Sequence, residues 1–108
     1  VGTLCVEFFI DRNDNLYVNE IAPRVHNSGH LTINAYNVSQ FENHVRAVCK
    51  LEQTPLKKIS NAKMINIIGD QINDYRNKEF NSNEFFFDYL KKKIKDKRKM
   101  GHLTILVS

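Results

Sequence analysis

The sequence predicts an α+β fold, on three observations. Two apolar runs flank an Asn/Asp-rich reversal near the start, a capped amphipathic stretch follows, and the apolar run Ala62 to Ile68 reads as a further strand. The 108 residues, 42% hydrophobic, suffice for one modest core, or for the end of a larger fold plus a small appendage.

The first element is a β-hairpin. Val6-Glu7-Phe8-Phe9-Ile10 and Tyr17-Val18-Asn19-Glu20-Ile21 each carry one carboxylate, and Arg12-Asn13-Asp14-Asn15 between them tolerates the left-handed conformations of a tight turn. A turn centred on Asn13-Asp14 sets Glu7 directly opposite Glu20, on one face. Opposed residues of an antiparallel pair sit roughly 4.5–5.5 Å apart at Cβ, where like charges repel unless something positive lies between them. A divalent cation resolves the clash. Two hard oxygen donors without Cys or His at matching spacing suit Mg2+, which completes its octahedron with water and nucleotide phosphates. Two solvated glutamates, or a bulge that shifts the register and separates them, would account for the same residues without a metal. Leu4, Val6, Phe8, Ile10, Tyr17 and Ile21 make one hairpin face apolar, and Cys5, Phe9, Leu16 and Val18 the other, so cover by helices or by a partner domain is expected on both sides.

Ala22 to Gly29, with Pro23 and no clear periodicity, reads as a loop leaving the second strand, where functional groups tend to collect. A short helical turn is expected within His30 to Asn37. Ser39-Gln40-Phe41-Glu42 is a capping-box pattern and predicts a helix from about Gln40 to Lys50. Its stripe of Phe41, Val45, Val48 and Cys49 should face the core, with His44 and Arg46 off it. Leu51 to Asn61 reads as a linker with a boundary near Ile59, giving parts 1–58 and 59–108. Ala62 to Ile68 is a strand ended by Gly69-Asp70, and Asn73 to Glu84 a long polar loop or a short helix. Phe85 to Lys97 passes locally as an amphipathic helix.

No run of about 18 apolar residues points to a membrane span, and no charged-then-apolar leader to a signal peptide. Cys5 and Cys49 sit in apolar surroundings without a CxxC pair, so buried reduced thiols and a cytoplasmic location are expected. A net charge of +4 suits an anionic partner: nucleic acid, a membrane surface or a phosphorylated metabolite.

Asn19-Glu20-Ile21-Ala22-Pro23-Arg24-Val25-His26-Asn27-Ser28-Gly29-His30 resembles the NEIAPRPHNSGH signature of the 5-(carboxyamino)imidazole ribonucleotide synthases, ATP-grasp carbon-nitrogen ligases of purine biosynthesis. Val6-Glu7-Phe8-Phe9, Ser39-Gln40-Phe41-Glu42, Val45-Arg46-Ala47, Met64-Ile65-Asn66-Ile67-Ile68-Gly69 and Arg98-Lys99-Met100-Gly101-His102 are similar to the same family in the same order. The resemblance spans nearly the whole chain but only the C-terminal part of such an enzyme. It implies the end of an ATP-grasp domain, hairpin plus helix, followed by a small β-rich domain like a single hybrid motif. It replaces the helix reading of Phe85 to Lys97 with strands at about Phe85 to Leu90 and Gly101 to Val107, joined by a basic turn. The chain is accordingly expected to be a segment of a longer enzyme, inactive without the missing N-terminal part.

The resemblance also implies the chemistry, which is carboxylation of 5-aminoimidazole ribonucleotide by bicarbonate and ATP through carboxyphosphate. Glu7 and Glu20 then ligate Mg2+ at the ATP phosphates and Asn19 lines the nucleotide site. Ala22 stands where many ATP-grasp enzymes have a ligating Asn, as it does in the purine branch. Arg24 donates to carboxyphosphate or the substrate phosphate as the catalytic group, while His26, Asn27 and Ser28 contact the ribonucleotide. His30 is expected to make a structural hydrogen bond. Family members read roughly Tyr-Gly-Lys, a short gap, then Gly-Arg-Lys-Met-Gly-His. Lys92, Arg98 and Lys99 match the lysine and the later pair as holders of the ribose phosphate, with Leu90 where Tyr and Lys97 where Gly is usual. Lys91, Lys93, Lys95 and Lys97 are left as a solvated charge run. A homodimer is the assembly the family implies, and neither membrane nor nucleic acid is an expected partner.

Two other functions fit parts of the sequence. A basic nucleic-acid-binding module would use Lys57-Lys58 and Lys91 to Lys99 on phosphates and Phe85 to Phe87 for stacking, but leaves the paired glutamates unexplained. Another ATP-grasp ligase, such as one acting on glycinamide ribonucleotide, would keep the metal pair, but the HNSGH loop favours the aminoimidazole branch.

Overall fold

In the computed structural model, which describes residues 1–108, the two apolar runs pair as β1 (Cys5–Ile10) and β2 (Leu16–Ala22), a two-stranded antiparallel sheet. The reversal is longer than a two-residue turn. Asp11–Asn15 links the strands, with Asp11 N donating to Asn15 O at 3.0 Å and Asp14 left-handed at φ 61°. Asp11 Oδ1 accepts from the backbone of Asn13 (2.7 Å) and Asn15 (2.9 Å), and the Asn15 side chain foremost holds the carboxyl below the usual aspartate range.

This turn pairs Ile10 with Leu16 and Phe8 with Val18, one residue out of the register that a turn on Asn13-Asp14 would give. A shift between Glu7 and Phe8 then leaves Asn19 without a cross-strand partner and sets Glu7 opposite Glu20. Glu7 thus lies opposite Glu20 as expected, and the bulge brings the carboxylates together where the alternative reading had a bulge separating them.

Two compact units divide the chain, Val1–Lys57 and Lys58–Ser108. In the first, the loop after β2 carries a 3-10 turn (Asn27–Gly29), followed by α1 (Thr32–Ala35) and α2 (Gln40–Val48). Ser39 Oγ caps α2 by accepting from Glu42 N at 3.1 Å. The helix stops short of Lys50, which is left-handed at φ 55°.

Phe8, Phe9, Ile10, Leu16, Tyr17 and Val18 remain 52–67% exposed, so the cover expected from helices or a partner domain does not come from this unit's own helices. One expectation for α2 fails. The apolar stripe of α2 also faces out, with Phe41, Val45 and Val48 at 39%, 53% and 48% exposure and Cys49 exposed. Polar contacts on another side of the helix decide its orientation: His44 Nδ1 accepts from Thr3 N at 3.1 Å and Gln40 O from Thr3 Oγ1 at 3.4 Å. The cysteines are not buried thiols, since Cys5 is only half-buried and Cys49 is exposed.

The second unit holds a three-stranded antiparallel sheet of β3 (Asn61–Ile68), β4 (Glu84–Asp88) and β5 (Lys99–Val107) in the order β3-β5-β4. Its core is Ile67, Ile72, Met100 and Leu103, with Ile65, Tyr75, Phe80, Phe86 and Ile105 packed around it. Full burial of each large side chain contributes about 1.5–3 kcal/mol. A 3-10 turn (Gly69–Gln71) leads into α3 (Ile72–Arg76), a short helix where the polar stretch allowed one. Strand alternation sends Phe86 to the core and leaves Phe85 and Phe87 outside, so the three phenylalanines do not make one stacking surface. Phe85 to Asp88 are thus strand, and the local helix reading yields to pairing with β5. No helix is long and apolar enough to cross a membrane.

Candidate functional site

The bulge on β2 sets the geometry of an acidic site. Opposed Glu7 and Glu20 share one face, and Asn19, the bulged residue, donates from Nδ2 to Glu7 Oε2 at 3.3 Å. The loop after β2 returns His26 to the same place. Its Nε2 lies 3.2 Å from Glu20 Oε1, and its Nδ1 3.5 Å from Glu7 Oε1. One ligand atom from each of Glu7, Glu20 and His26 falls within 4.8 Å of the other two. The imidazole is only 12% exposed, while Glu7 and Glu20 stay open to solvent at 34% and 46%.

Little positive charge balances the pair. The nearest guanidinium is Arg24, whose Nη2 stands 3.8 Å from Glu20 Oε1 and whose Nη1 donates to Val25 O at 3.0 Å. The Arg24 side chain is 63% exposed, so its fork is available to an anion. Two carboxylates facing each other with accessible oxygens are a donor set that fits Mg2+, the cation the resemblance implies.

A hydrogen-bond network fixes the loop that carries His26. Gln40, the first residue of α2, accepts from His26 N on Oε1 (3.0 Å) and donates from Nε2 to His26 O (2.7 Å). Its Nε2 also reaches His30 Nδ1 at 2.8 Å, and the His30 ring stacks on Phe41, the structural part expected of that histidine. Thr32 Oγ1 accepts from Gln40 N and donates to Gly29 O. A Cβ at Gly29 would meet the Gln40 amide, which would have to shift out of its bonds to His26. Ser28 donates from its backbone to His26 Nδ1 at 3.2 Å, its Oγ lies 2.9 Å from the same nitrogen, and Cys5 Sγ is 3.7 Å from that Oγ. Asn27 starts the 3-10 turn.

The basic residues lie in the second unit and differ among themselves. Lys92, Lys93, Lys95 and Lys97 are exposed, as is Lys99, whereas Arg98 is half-buried and donates from Nη1 to Lys93 O at 3.1 Å. Lys91 departs from the expected solvated run. It is half-buried, donates to Lys99 O at 2.6 Å and sits 5.5 Å above the Tyr89 ring. Tyr89 OH is 2.8 Å from Nδ1 of the buried His102, on which Phe87 stacks at 5.4 Å. Leu90 and Lys97 are both left-handed, at φ 53° and 60°.

Gln40, Tyr89, Lys91 and His102 escaped the sequence reading as site-building residues. The Ser39-Gln40-Phe41-Glu42 string marks a helix cap and a family segment without showing that Gln40 holds His26, and a run of lysines does not distinguish the one that is held.

Comparison with known proteins bears on both units. An ATP-grasp domain model matches residues 1–41, and a phosphoribosylaminoimidazole carboxylase C-terminal domain model matches residues 62–108. N5-carboxyaminoimidazole ribonucleotide synthase of Staphylococcus aureus (strain COL) is 45% identical over 111 residues, covering 100% of this chain and 29% of the relative. The crystal structure of the S. aureus N5-carboxyaminoimidazole synthetase with ADP superposes with a TM-score of 0.89 at 44% identity, over all of this chain and 30% of that one. The Aspergillus clavatus synthase, in complex with ADP and 5-aminoimidazole ribonucleotide, gives 0.87 at 34% identity, over 98% of this chain and 30% of that one. The chain thus spans about three-tenths of the length of the curated relatives it matches.

Proposed function

We propose that this chain, a member of the N5-carboxyaminoimidazole ribonucleotide synthase family of ATP-grasp ligases, supplies the C-terminal share of an enzyme that carboxylates 5-aminoimidazole ribonucleotide with bicarbonate and ATP. The observation that carries this reading is the opposed Glu7–Glu20 pair, set by the bulge inside a chain matching that family throughout.

Glu7 and Glu20 would hold Mg2+, with Asn19 beside them at the nucleotide. A divalent cation bound there supplies neutralising charge for the nucleotide phosphates. The chain's own residues do the rest by positioning. Arg24, exposed and forked, donates to the anionic carboxyphosphate or to the substrate phosphate. His26, Asn27 and Ser28 hold the ribonucleotide, and Gln40 fixes the backbone from which they act.

In the second unit, Arg98 and Lys99 take the ribose phosphate together with one earlier lysine. The left-handed backbone of Leu90 matches the glycine of the family's Tyr-Gly-Lys, so Tyr89-Leu90-Lys91 aligns with it and the held Lys91 takes the role first given to Lys92. The extra residue then lies in the basic turn. Within this reading the enzyme works in the cytoplasm as a homodimer, with the N-terminal part completing the ATP site.

Glu20→Gln in the full polypeptide tests the reading. Mg-dependent ADP formation with bicarbonate and 5-aminoimidazole ribonucleotide should disappear, and wild-type turnover in that variant would overturn it.

A further inference from the structure

We infer that the buried His102 is a positioning residue for phosphate recognition: through the Tyr89 hydroxyl it fixes the ring beneath the Lys91 ammonium, and so holds that lysine ready for the ribose phosphate. The inference rests on the proposed reading of Lys91 as a phosphate ligand and adds the residue that keeps it in place.

The need for such a residue is one of mobility. Lys91 opens a turn whose next six residues, Lys92 to Lys97, are all exposed. A lysine ammonium rides on a flexible four-carbon stem, and the freedom of that stem is lost when the charge is pinned on an anion. Groups anchored on strands are held more accurately than groups on turns. His102 lies on β5, the middle strand of its sheet, opposite Asn66 of β3 on one side and Phe87 of β4 on the other. Its imidazole is 1% exposed, and the Phe87 ring stacks on it with the two planes 2° apart. The ring has almost no room to turn.

From that fixed point the contacts run outward to the turn. Tyr89 OH donates to His102 Nδ1 at 2.8 Å, and the Tyr89 backbone N–H donates to Met100 O at 2.9 Å, so the phenol is held at both ends. Lys91 Nζ stands 5.5 Å from the centroid of that ring, within cation–π range. Lys99 O accepts one of its three donors at 2.6 Å, and two remain for phosphate oxygens. The residue between them is fixed as well, since Leu90 N donates to Asp88 Oδ1 at 2.8 Å. A phosphate thus meets a cation whose stem was ordered during folding rather than on binding. A histidine with a purely structural role would also need a partner for its buried nitrogen. The two roles differ in whether loss of the imidazole is felt through Lys91.

Steady-state kinetics of the full polypeptide, with 5-aminoimidazole ribonucleotide as the varied substrate, tests this. His102→Leu should raise KM by roughly 3- to 10-fold with kcat little changed. His102→Asn, which returns an acceptor near the place of Nδ1, should recover most of that loss. Lys91→Ala should raise KM further, and adding His102→Leu to it should have no additional effect. Tyr89→Phe cuts the same hydrogen bond from its other end and should behave alike in both backgrounds, so the test survives a His102 variant that does not fold. An unchanged KM in His102→Leu or Tyr89→Phe, or the same rise in KM with and without Lys91, overturns the inference while leaving Lys91 its role. A wild-type KM in Lys91→Ala would instead bring down the assignment of Lys91 on which the inference rests.

Discussion

Gln40 holds His26 by both ends of its peptide frame, accepting from the backbone N–H at 3.0 Å and donating to the carbonyl at 2.7 Å. A helix-initiating residue thus sets the position of the one imidazole at the acidic pair.

Gln40→Ala removes both bonds and should lower stability by about 1–3 kcal/mol, read by chemical denaturation. It should also lower turnover of the full polypeptide by up to roughly 100-fold, since small misplacements of site groups are costly. Gly29→Ala should mimic it, because the added methyl occupies the space of the Gln40 amide. Normal turnover in both variants would show that the loop positions itself.

Tyr89→Phe deletes a 2.8 Å hydrogen bond to buried His102 while keeping the ring under Lys91. The expected loss is about 0.5–1.5 kcal/mol, with a raised KM for the ribonucleotide and little change in kcat. Tyr89→Leu, which also removes the ring, should raise KM further. A kcat effect alone in either variant would contradict the assignment of Lys91 to phosphate binding.

Leu90 adopts a left-handed conformation that costs an L-residue roughly 1–2 kcal/mol, part of which glycine returns through a more flexible unfolded chain. Leu90→Gly should therefore stabilise the second unit by on the order of 1 kcal/mol, seen as a raised denaturation midpoint. Destabilisation would mean that the leucine side chain makes a contact worth more than the strain.

Arg76 and Asp88 tie α3 to β4 through a fork, Nε to Oδ2 at 2.6 Å and Nη2 to Oδ1 at 3.2 Å. The Arg76 guanidinium first, and the backbone N–H of Leu90 second, hold the Asp88 carboxyl below the usual aspartate range. A carboxyl with a depressed folded pKa contributes stability that is fully present above its unfolded pKa and is lost as pH falls through the folded one. Thermal unfolding between roughly pH 2 and 6 should show wild type losing stability towards the acid end more steeply than Asp88→Asn. Parallel curves for the two proteins would remove the linkage.

The hairpin was legible because alternating apolar residues around an Asn/Asp reversal leave few other structures, and Ser39 with Glu42 marked the start of α2. The orientation of α2 was not, since an amphipathic pattern shows which side is apolar but not whether its own unit covers it. Phe41, Val45 and Val48 lie open while His44 and Gln40 face inward for polar reasons. Lys91 was hidden for a different reason. Six lysines lie between residues 91 and 99, and only a left-handed leucine, invisible in composition, shows where the turn starts. The histidine at the acidic pair was read from its motif as a substrate contact, and only the return of the loop brings it within reach of both glutamates.

The unmatched Asn19 compensates for the length of the turn at the tip of the hairpin. A side chain's face flips with each residue added to the connection, so an odd count in Asp11–Asn15 would by itself send Glu20 to the wrong side of its partner strand. One spare residue midway down β2 cancels that parity error before it reaches the acids. The tip can thus differ from the shortest possible turn while the chemistry further down the ribbon keeps its alignment.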